Sequence, residues 1–212
     1  MFYVRINKIR IVKNGELIGK GELQLMCFIN HSEVSFPSLE SFFETTDVDE
    51  QNKLIESAIK QVVQSRILMP IHKVKDKSII TFGDTGYIVY KANKIPTDFS
   101  IQLLGIEKDK KARNNATILK NILSKENLNT IVDNISSLVS ETNPVNKAIV
   151  VLFDLVAQSI LTLVSNDKDD QVGYFLSSFI RELDYPHGTR DRQDVTDLTG
   201  NMFVDYTLFG TD

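Results

Sequence analysis

Hydrophobic and polar residues alternate at several places along the chain, which is the pattern of strands that bury one face. Residues 2–6 alternate in this way, and the phase shifts before Ile9, which predicts a β-bulge in the first strand. Residues 22–30 alternate again, with Cys27 on the apolar side. Because the turn-forming pair Asn14-Gly15 separates the two runs, we predict a hairpin or meander at the amino end and a core position for Cys27.

Strand-like patterns continue through the middle of the chain and at its carboxyl end. Two short runs flank the turn Gly83-Asp84-Thr85-Gly86, which predicts another hairpin. These two runs are residues 78–82 and 87–91, and further strands are predicted at residues 98–106, 174–183 and 201–209. Between the last two, residues 185–194 are polar and show no alternation, so they are predicted to form a loop.

Apolar residues at helical spacing mark two other parts of the chain. Residues 47–50 have the sequence of a capping box, and an amphipathic pattern follows, so a helix is predicted over residues 49–65. Intervals of three and four predict two short helices between residues 119 and 139. Asn143-Pro144 is a helix-start signal before a long apolar helix. Three consecutive helices are therefore expected to interrupt the strands.

These elements predict a β-rich α+β fold. We expect a single antiparallel β-sandwich domain over residues 1–212, with one amphipathic helix and a helical insertion between strands at about residues 110–165. The sequence shows no internal repeat of solenoid length and no low-complexity linker.

Composition indicates which classes of partner and which cellular compartment to expect. A chain of 212 residues with 42% hydrophobic residues can bury a substantial core. The formal net charge of −4 argues against nucleic acid as a partner. One cysteine excludes an intramolecular disulfide and a zinc site built mainly on thiolates. The amino-terminal residues lack the pattern of a secretory signal, so a cytoplasmic location is expected.

The long apolar helix has two interpretations. Residues 148–164 approach the length needed to cross a bilayer, but Asp154 lies near the middle and Gln158, Ser159 and Thr162 add polar groups. These residues favour a buried core helix. The alternative is a helical hairpin that leaves the domain and enters a membrane, which would make a membrane surface a partner.

An acidic turn follows this helix and contains the candidate metal ligands Asp167, Asp169 and Asp170. Closely spaced carboxylates supply the hard oxygen ligands that calcium prefers. An EF-hand loop counted from Asp167 would need Gly at position 172 and Glu at position 178, where this chain has Val and Ser. A calcium site of another kind and a plain solvated surface turn are both consistent with the pattern.

The flanks of this turn resemble a C2-type β-sandwich, in which loops at one end of the domain bind calcium. The matching pieces are Glu107 and Asp109 after the strand at 98–106, and Asp170-Gln171-Val172-Gly173 before the strand that starts at Tyr174. The resemblance implies a calcium site formed by Glu107, Asp109, Asp167, Asp169 and Asp170. It covers only these flanks and the β frame.

The polar stretch at 185–194 is the best place to look for an enzyme, because His187, Arg190, Asp191 and Asp194 lie close together in sequence. A surface loop tied by Arg–Asp pairs explains the same residues. The single Asp-Thr-Gly at residues 84–86 does not make an aspartic protease, which needs a second carboxylate.

The sequence therefore predicts binding or assembly in preference to catalysis. The leading hypothesis is a non-enzymatic interaction module that binds calcium at the acidic loop and a protein or membrane partner through the helical insertion. The alternatives are a hydrolase-type enzyme using residues 185–194 and a structural subunit of a larger assembly whose exposed edge strands pair with neighbours. A protein partner or a homo-oligomer is expected in either binding hypothesis.

Overall fold

The structure is a computed structural model that describes residues 1–14, 21–31, 34–107, 114–164, 171–185 and 187–211. The strands of this part are β1 (Phe2–Ile11), β2 (Gly21–His31), β3 (Ile67–Val74), β4 (Ile79–Thr81), β5 (Tyr87–Ala92), β6 (Asp98–Glu107), β7 (Gln171–Ile180), β8 (Gly188–Thr196) and β9 (Met202–Gly210). The helices are α1 (Pro37–Glu44), α2 (Val48–Ser65), α3 (Asn115–Ile122), α4 (Lys125–Ser136), α5 (Pro144–Val164) and α6 (Arg181–Asp184), with a 3-10 turn at Ser137–Ser140.

The chain divides into two compact units. The first comprises residues 1–33, 67–108 and 167–212 and contains every described strand. The second comprises residues 34–66 and 109–166 and contains α1 to α5. The fold is therefore mixed α/β with two antiparallel sheets, and the coarse part of the fold prediction is confirmed. The number of domains remains a prediction.

The five-stranded sheet is organised around β1. One edge of β1 pairs with β9 along its whole length, from Phe2 opposite Gly210 to Ile11 opposite Met202. The other edge pairs with β5 and then with β4, and β8 pairs with the free side of β9. The register of β1 against β9 shifts between Ile6 and Lys8, so the predicted bulge is confirmed.

The four-stranded sheet has the order β3-β2-β6-β7, and every pair is antiparallel. Inward-facing residues of both sheets form one hydrophobic cluster. Its members from the long strands include Phe2, Val4, Ile6, Leu23, Leu25, Cys27, Phe99, Ile101, Leu103, Phe175, Phe179, Val204, Tyr206 and Leu208. Cys27 is fully buried in this core, as predicted. The two sheets thus share one core in the first unit.

The helical unit confirms most of the predicted helices. The Asp47 carboxylate accepts a hydrogen bond from the Glu50 backbone N–H at 2.9 Å and caps α2. Asn114 caps α3 in the same way, through the N–H of Ala116 at 2.9 Å. Helix α1 has Pro37 as its first residue, a position at which proline gives up no helical hydrogen bond.

Helix α5 begins at Pro144, as predicted, and runs to Val164. Ala148, Leu152, Val156 and Ile160 are fully buried, whereas Gln158 and Thr162 are exposed. Within the described chain, this is the helix that is long and apolar enough to cross a membrane by length and composition, and 39% of that window is buried. The membrane hypothesis stays a prediction.

Two hairpin predictions are wrong. β1 and β2 belong to different sheets, because both edges of β1 are occupied by other strands. β4 and β5 do not pair with each other; they lie end to end along the same edge of β1. Gly86 ends the turn between them with φ +70°, and a Cβ there would come within 2.8 Å of Asn7 Oδ1. The turn therefore folds against β1 and interrupts an edge instead of reversing the chain.

The prediction of a loop at residues 185–194 is also wrong. Residues 188–196 form strand β8, paired with β9 from Gly188 opposite Gly210 to Thr196 opposite Phe203. The strand has no buried residue, so the hydrophobic alternation by which strands are recognised is missing.

Candidate functional site

The predicted calcium ligands lie mostly outside the described residues. Glu107 is the last residue of β6 and is half-buried. Asp109, Asp167, Asp169 and Asp170 are not among the described residues. In the described part of the chain, no group of three or more His, Cys, Asp or Glu residues could hold a metal ion. The calcium site therefore remains a prediction.

The structure does bring the flanks of the acidic turn together. Glu107 at the end of β6 and Val172 at the start of β7 line one narrow cleft. Asn14, which follows β1, and Gly21, which opens β2, line the same cleft. Val74, the last residue of β3, lines it too, so five strand ends meet at one end of the first unit, called here the acidic end.

A buried carboxylate fixes the backbone at the acidic end. Asp197, in the connection from β8 to β9, is only 6% exposed. Its Oδ2 accepts hydrogen bonds from the Tyr174 N–H at 2.7 Å and the Thr199 hydroxyl at 2.6 Å. Its Oδ1 accepts from the N–H groups of Asn201 at 3.0 Å and Met202 at 3.1 Å. Because Tyr174 and Met202 lie on different sheets, this side chain joins them.

Asn201 extends the same network to β1. Its amide nitrogen donates to the carbonyls of Lys13 at 2.8 Å and Val172 at 2.6 Å, and its oxygen accepts from the Lys13 N–H at 2.8 Å. A Cβ on Gly173 would lie 2.6 Å from Met202 Cβ and 3.0 Å from Asp197 Oδ2, so only glycine fits there. The sequence shows a turn at residues 197–201 from its Asp, Thr, Gly and Asn residues, but nothing in it identifies these partners.

The four residues of the predicted polar site have separate partners on and beside β8. The Arg190 guanidinium donates to the neighbouring Thr189 carbonyl, and Asp191 accepts from the Thr207 hydroxyl at 2.5 Å. Asp194 has a positive φ of 49° in a bulge and forms an ion pair with Arg10 at 3.2 Å. His187 is exposed and precedes the strand. The structure therefore places these residues along an exposed strand and not around a shared pocket.

The outer face of the five-stranded sheet is a surface that the sequence interpretation did not single out. Cross-strand neighbours share a face, and the registers place four rows of side chains on the side opposite the core. The outer face consists of Lys91, Tyr3, Phe209 and Thr189; Ile88, Arg5, Thr207 and Asp191; Thr81, Lys8 and Asp205; and Ile79, Arg10, Phe203 and Thr196.

Ion pairs and ring contacts order this face. Lys8 pairs with Asp205 at 2.7 Å, and the hydrogen bond to Asp205 raises the pKa of Lys8. The Arg10 guanidinium lies 3.9 Å from the centre of the Phe203 ring. The rings of Tyr3 and Phe209 stack with centroids 4.9 Å apart.

Cys27 and Tyr185 are the buried groups in the first unit whose chemistry is most altered. Burial raises the pKa of Cys27 to about 12, so the thiol is neutral and a poor nucleophile at neutral pH. Burial is also the main cause that raises the pKa of Tyr185, whose hydroxyl donates to the Pro96 carbonyl at 3.1 Å. Both groups are structural.

The chain matches no protein-family model, and no significant similarity to a curated protein or to a solved structure was found.

Proposed function

We propose that this protein is a non-enzymatic interaction module with a C2-like sandwich frame that binds calcium at the acidic end. The observation that supports the proposal is the meeting of five strand ends at one cleft, with Glu107 and Val172 on its lining. Glu107 is the described position nearest in sequence to Asp109, and Val172 lies two residues after Asp170. The two segments that carry the predicted ligands, one after Glu107 and one before Val172, are therefore both connected to this cleft.

The Asp197 and Asn201 network supports the same function. A loop that binds calcium with several carboxylates loses conformational entropy on binding. If the backbone on both sides of the loop is already fixed, only the loop itself has to become ordered. At the acidic end, side-chain hydrogen bonds hold Lys13, Val172 and Tyr174, which flank residues 15–20 and 165–170. The helical unit would then present a surface to a protein or membrane partner.

The arrangement of β8 favours binding over the hydrolase alternative. A general base must lie within hydrogen-bonding reach of its proton and be held by a further group. Asp191 and Asp194 are instead engaged by Thr207 and Arg10 on neighbouring strands. A binding module needs no such constellation.

Thermal unfolding with calcium and with chelator tests the proposal. The chain has no tryptophan, so circular dichroism is the suitable signal. Calcium at about 100 times its dissociation constant stabilises a protein by about 2.7 kcal/mol, which raises the Tm of a chain this long by about 5–10 °C. Asp170→Asn should reduce this shift, whereas Asp84→Asn, on an exposed turn, should leave it unchanged.

Magnesium is the ionic control, because it prefers a smaller octahedral site than calcium does. The same Tm in calcium and chelator for the parent protein would refute calcium binding. An equal shift in the parent and in Asp170→Asn would show that calcium binds elsewhere.

A further inference from the structure

The outer face of the five-stranded sheet combines residue types that are concentrated at protein interfaces. Aromatic residues and arginine are enriched in interface cores, where they supply large contact areas at low entropic cost. The middle strands of this face carry Tyr3, Arg10, Phe203 and Phe209, and none of them is fully buried. Ile79 and Ile88 beside them are 62% and 52% exposed. The face therefore combines exposed apolar side chains with the aromatic residues and arginine that anchor interfaces.

The middle of the face is ordered before any partner binds. Arg10 is fixed by its contact with Phe203 and its ion pair with Asp194, and Tyr3 is fixed by stacking on Phe209. Side chains that are already fixed lose little rotamer freedom on association. This preorganisation favours a specific partner over a loose apolar contact.

The two sides of the face carry opposite charge. On the β8 side, Asp191 is exposed, and Asp194 beside it is already paired with Arg10. On the β5 side, Lys91 is exposed and Arg5 lies in the adjacent row of β1. A two-fold axis that runs parallel to the strands, between two such faces, would place the acidic side of one copy over the basic side of the other. The face is thus complementary to itself, as an isologous interface requires.

The size of the face is also suitable. Four strands about 4.8 Å apart and ten residues long at about 3.3 Å per residue cover roughly 600 Å². Stable interfaces bury about 800 Å² on each partner, and weaker ones bury less. A dimer of moderate affinity is therefore expected.

The sheet edges offer less to a second copy. β8 carries two arginines and three acidic or amide residues and contains a bulge, features that protect an edge from pairing. β7 is uncharged, but Asp197 and Leu198 occupy the backbone groups of Tyr174, and Asp184 accepts from the N–H of Ile180. At β7 and β8, pairing of faces is therefore favoured over pairing of edges.

We propose that a second copy of this chain docks on the outer face, with the two-fold axis parallel to the strands. In this dimer Asp191 of each copy lies near Lys91 of the other, and the β1 strand of each copy faces the β9 strand of the other. The interface does not involve the acidic end, so it forms without calcium.

A charge-swap experiment tests this arrangement. Sedimentation velocity in chelator should show a concentration-dependent dimer for the parent protein, with a dissociation constant in the micromolar range or below. Asp191→Arg and Lys91→Glu should each weaken the dimer at least tenfold, because each places two like-charged pairs in the interface. An equimolar mixture of the two variants should recover dimerisation, since each mixed dimer restores opposite charges.

Matched variants away from the face provide the control. Asp133→Arg and Lys53→Glu make the same changes at exposed positions of α4 and α2, and neither should alter the dissociation constant. Circular dichroism melts verify that every variant is folded. A parent protein that is monomeric throughout the concentration range would overturn the proposal. So would a dimer that ignores the charge swaps or that the mixture does not restore.

Discussion

The two sheets share one core but differ in the faces that they turn away from it. On the five-stranded sheet, the outward residues of β1 are Tyr3, Arg5, Lys8 and Arg10, all partly accessible. On the four-stranded sheet, outward positions of the central strands β2 and β6 hold Met26, Phe28, Leu104 and Ile106, which are at most 1% exposed. One sheet is buried on one face, and the other is buried on both.

The spacing of apolar residues in the sequence reflects this difference between the two sheets. β1 alternates apolar and polar residues, whereas β2 is apolar from Leu25 to Ile29 without interruption. Alternation is typical of a strand with one wet face, and a continuous apolar run is typical of one buried on both. Substitutions on outward positions should therefore affect folding in the four-stranded sheet and association in the five-stranded sheet.

The largest expected effect comes from a matched pair of truncations on the two outward faces. Phe28→Ala should lower the free energy of unfolding by about 3–5 kcal/mol, because it leaves a cavity at a buried site. Phe203→Ala should lower it by about 1 kcal/mol or less, since this ring is partly accessible and loses mainly its contact with Arg10. Urea denaturation in chelator, at protein concentrations below the dissociation constant of the dimer, measures both free energies. Equal losses in the two variants would contradict the difference between the two outward faces.

A smaller effect is expected where the two sheets are joined. Asp197→Asn keeps the shape of the side chain but directs an amide NH₂ toward backbone N–H donors. The loss of charge-assisted hydrogen bonds should cost about 2–3 kcal/mol in unfolding free energy. Asp84→Asn is the control. An unchanged denaturation midpoint in Asp197→Asn would mean that the two sheets do not depend on this carboxylate.

The smallest effect concerns the inner faces, where the two sheets should behave alike. Burial raises the pKa of Cys27 on β2 to about 12, and burial also raises the pKa of Tyr206 on β9. An unfolded thiol ionises near pH 8.5, so the unfolded state releases its proton first as pH rises. Cys27 costs no stability below that pH, and by one pH unit above it the loss should be about 1.4 kcal/mol, which is less than either Phe28→Ala or Asp197→Asn should cost.

The Cys27 contribution is measured by comparing the pH dependence of unfolding free energy for the parent and for Cys27→Ala. The parent should lose stability more steeply above about pH 9. A thiol reagent should react with the parent only after unfolding. Identical slopes for the two proteins, or rapid reaction of the folded parent, would show that the thiol is accessible.

Local elements could be predicted from the sequence because their causes are local. The Asp47 cap, Pro144 and the phase shift after Ile6 each depend on neighbouring residues, and each was located correctly. Strand pairing depends on residues far apart, so a turn signal such as Asn14-Gly15 was mistaken for a hairpin. The charged strand β8 was missed because its partner, and not its own hydrophobicity, makes it a strand.

The candidate sites divide in the same way. The acidic residues at 167–170 and the polar residues at 187–194 are evident in the sequence because they are contiguous. The outer face is assembled from β1, β4, β5, β8 and β9, whose registers no local pattern reveals. Asp197 resembles any turn-forming aspartate until the structure shows Tyr174 and Met202 beside it.

The pairing of β1 with β9 has a consequence for how the chain reaches its native state. Phe2 lies opposite Gly210, so β1 has no central partner until β9, at the far end of the unit's sequence, has been made. The helices of the second unit are likewise drawn from residues 34–66 and 109–166, on either side of four strands. Such non-local contacts slow folding, because a long loop must close before any contact stabilises it. During synthesis, the edge of β1 that pairs with β9 would remain unpaired until β9 has been made, which is when a chaperone would be of most use.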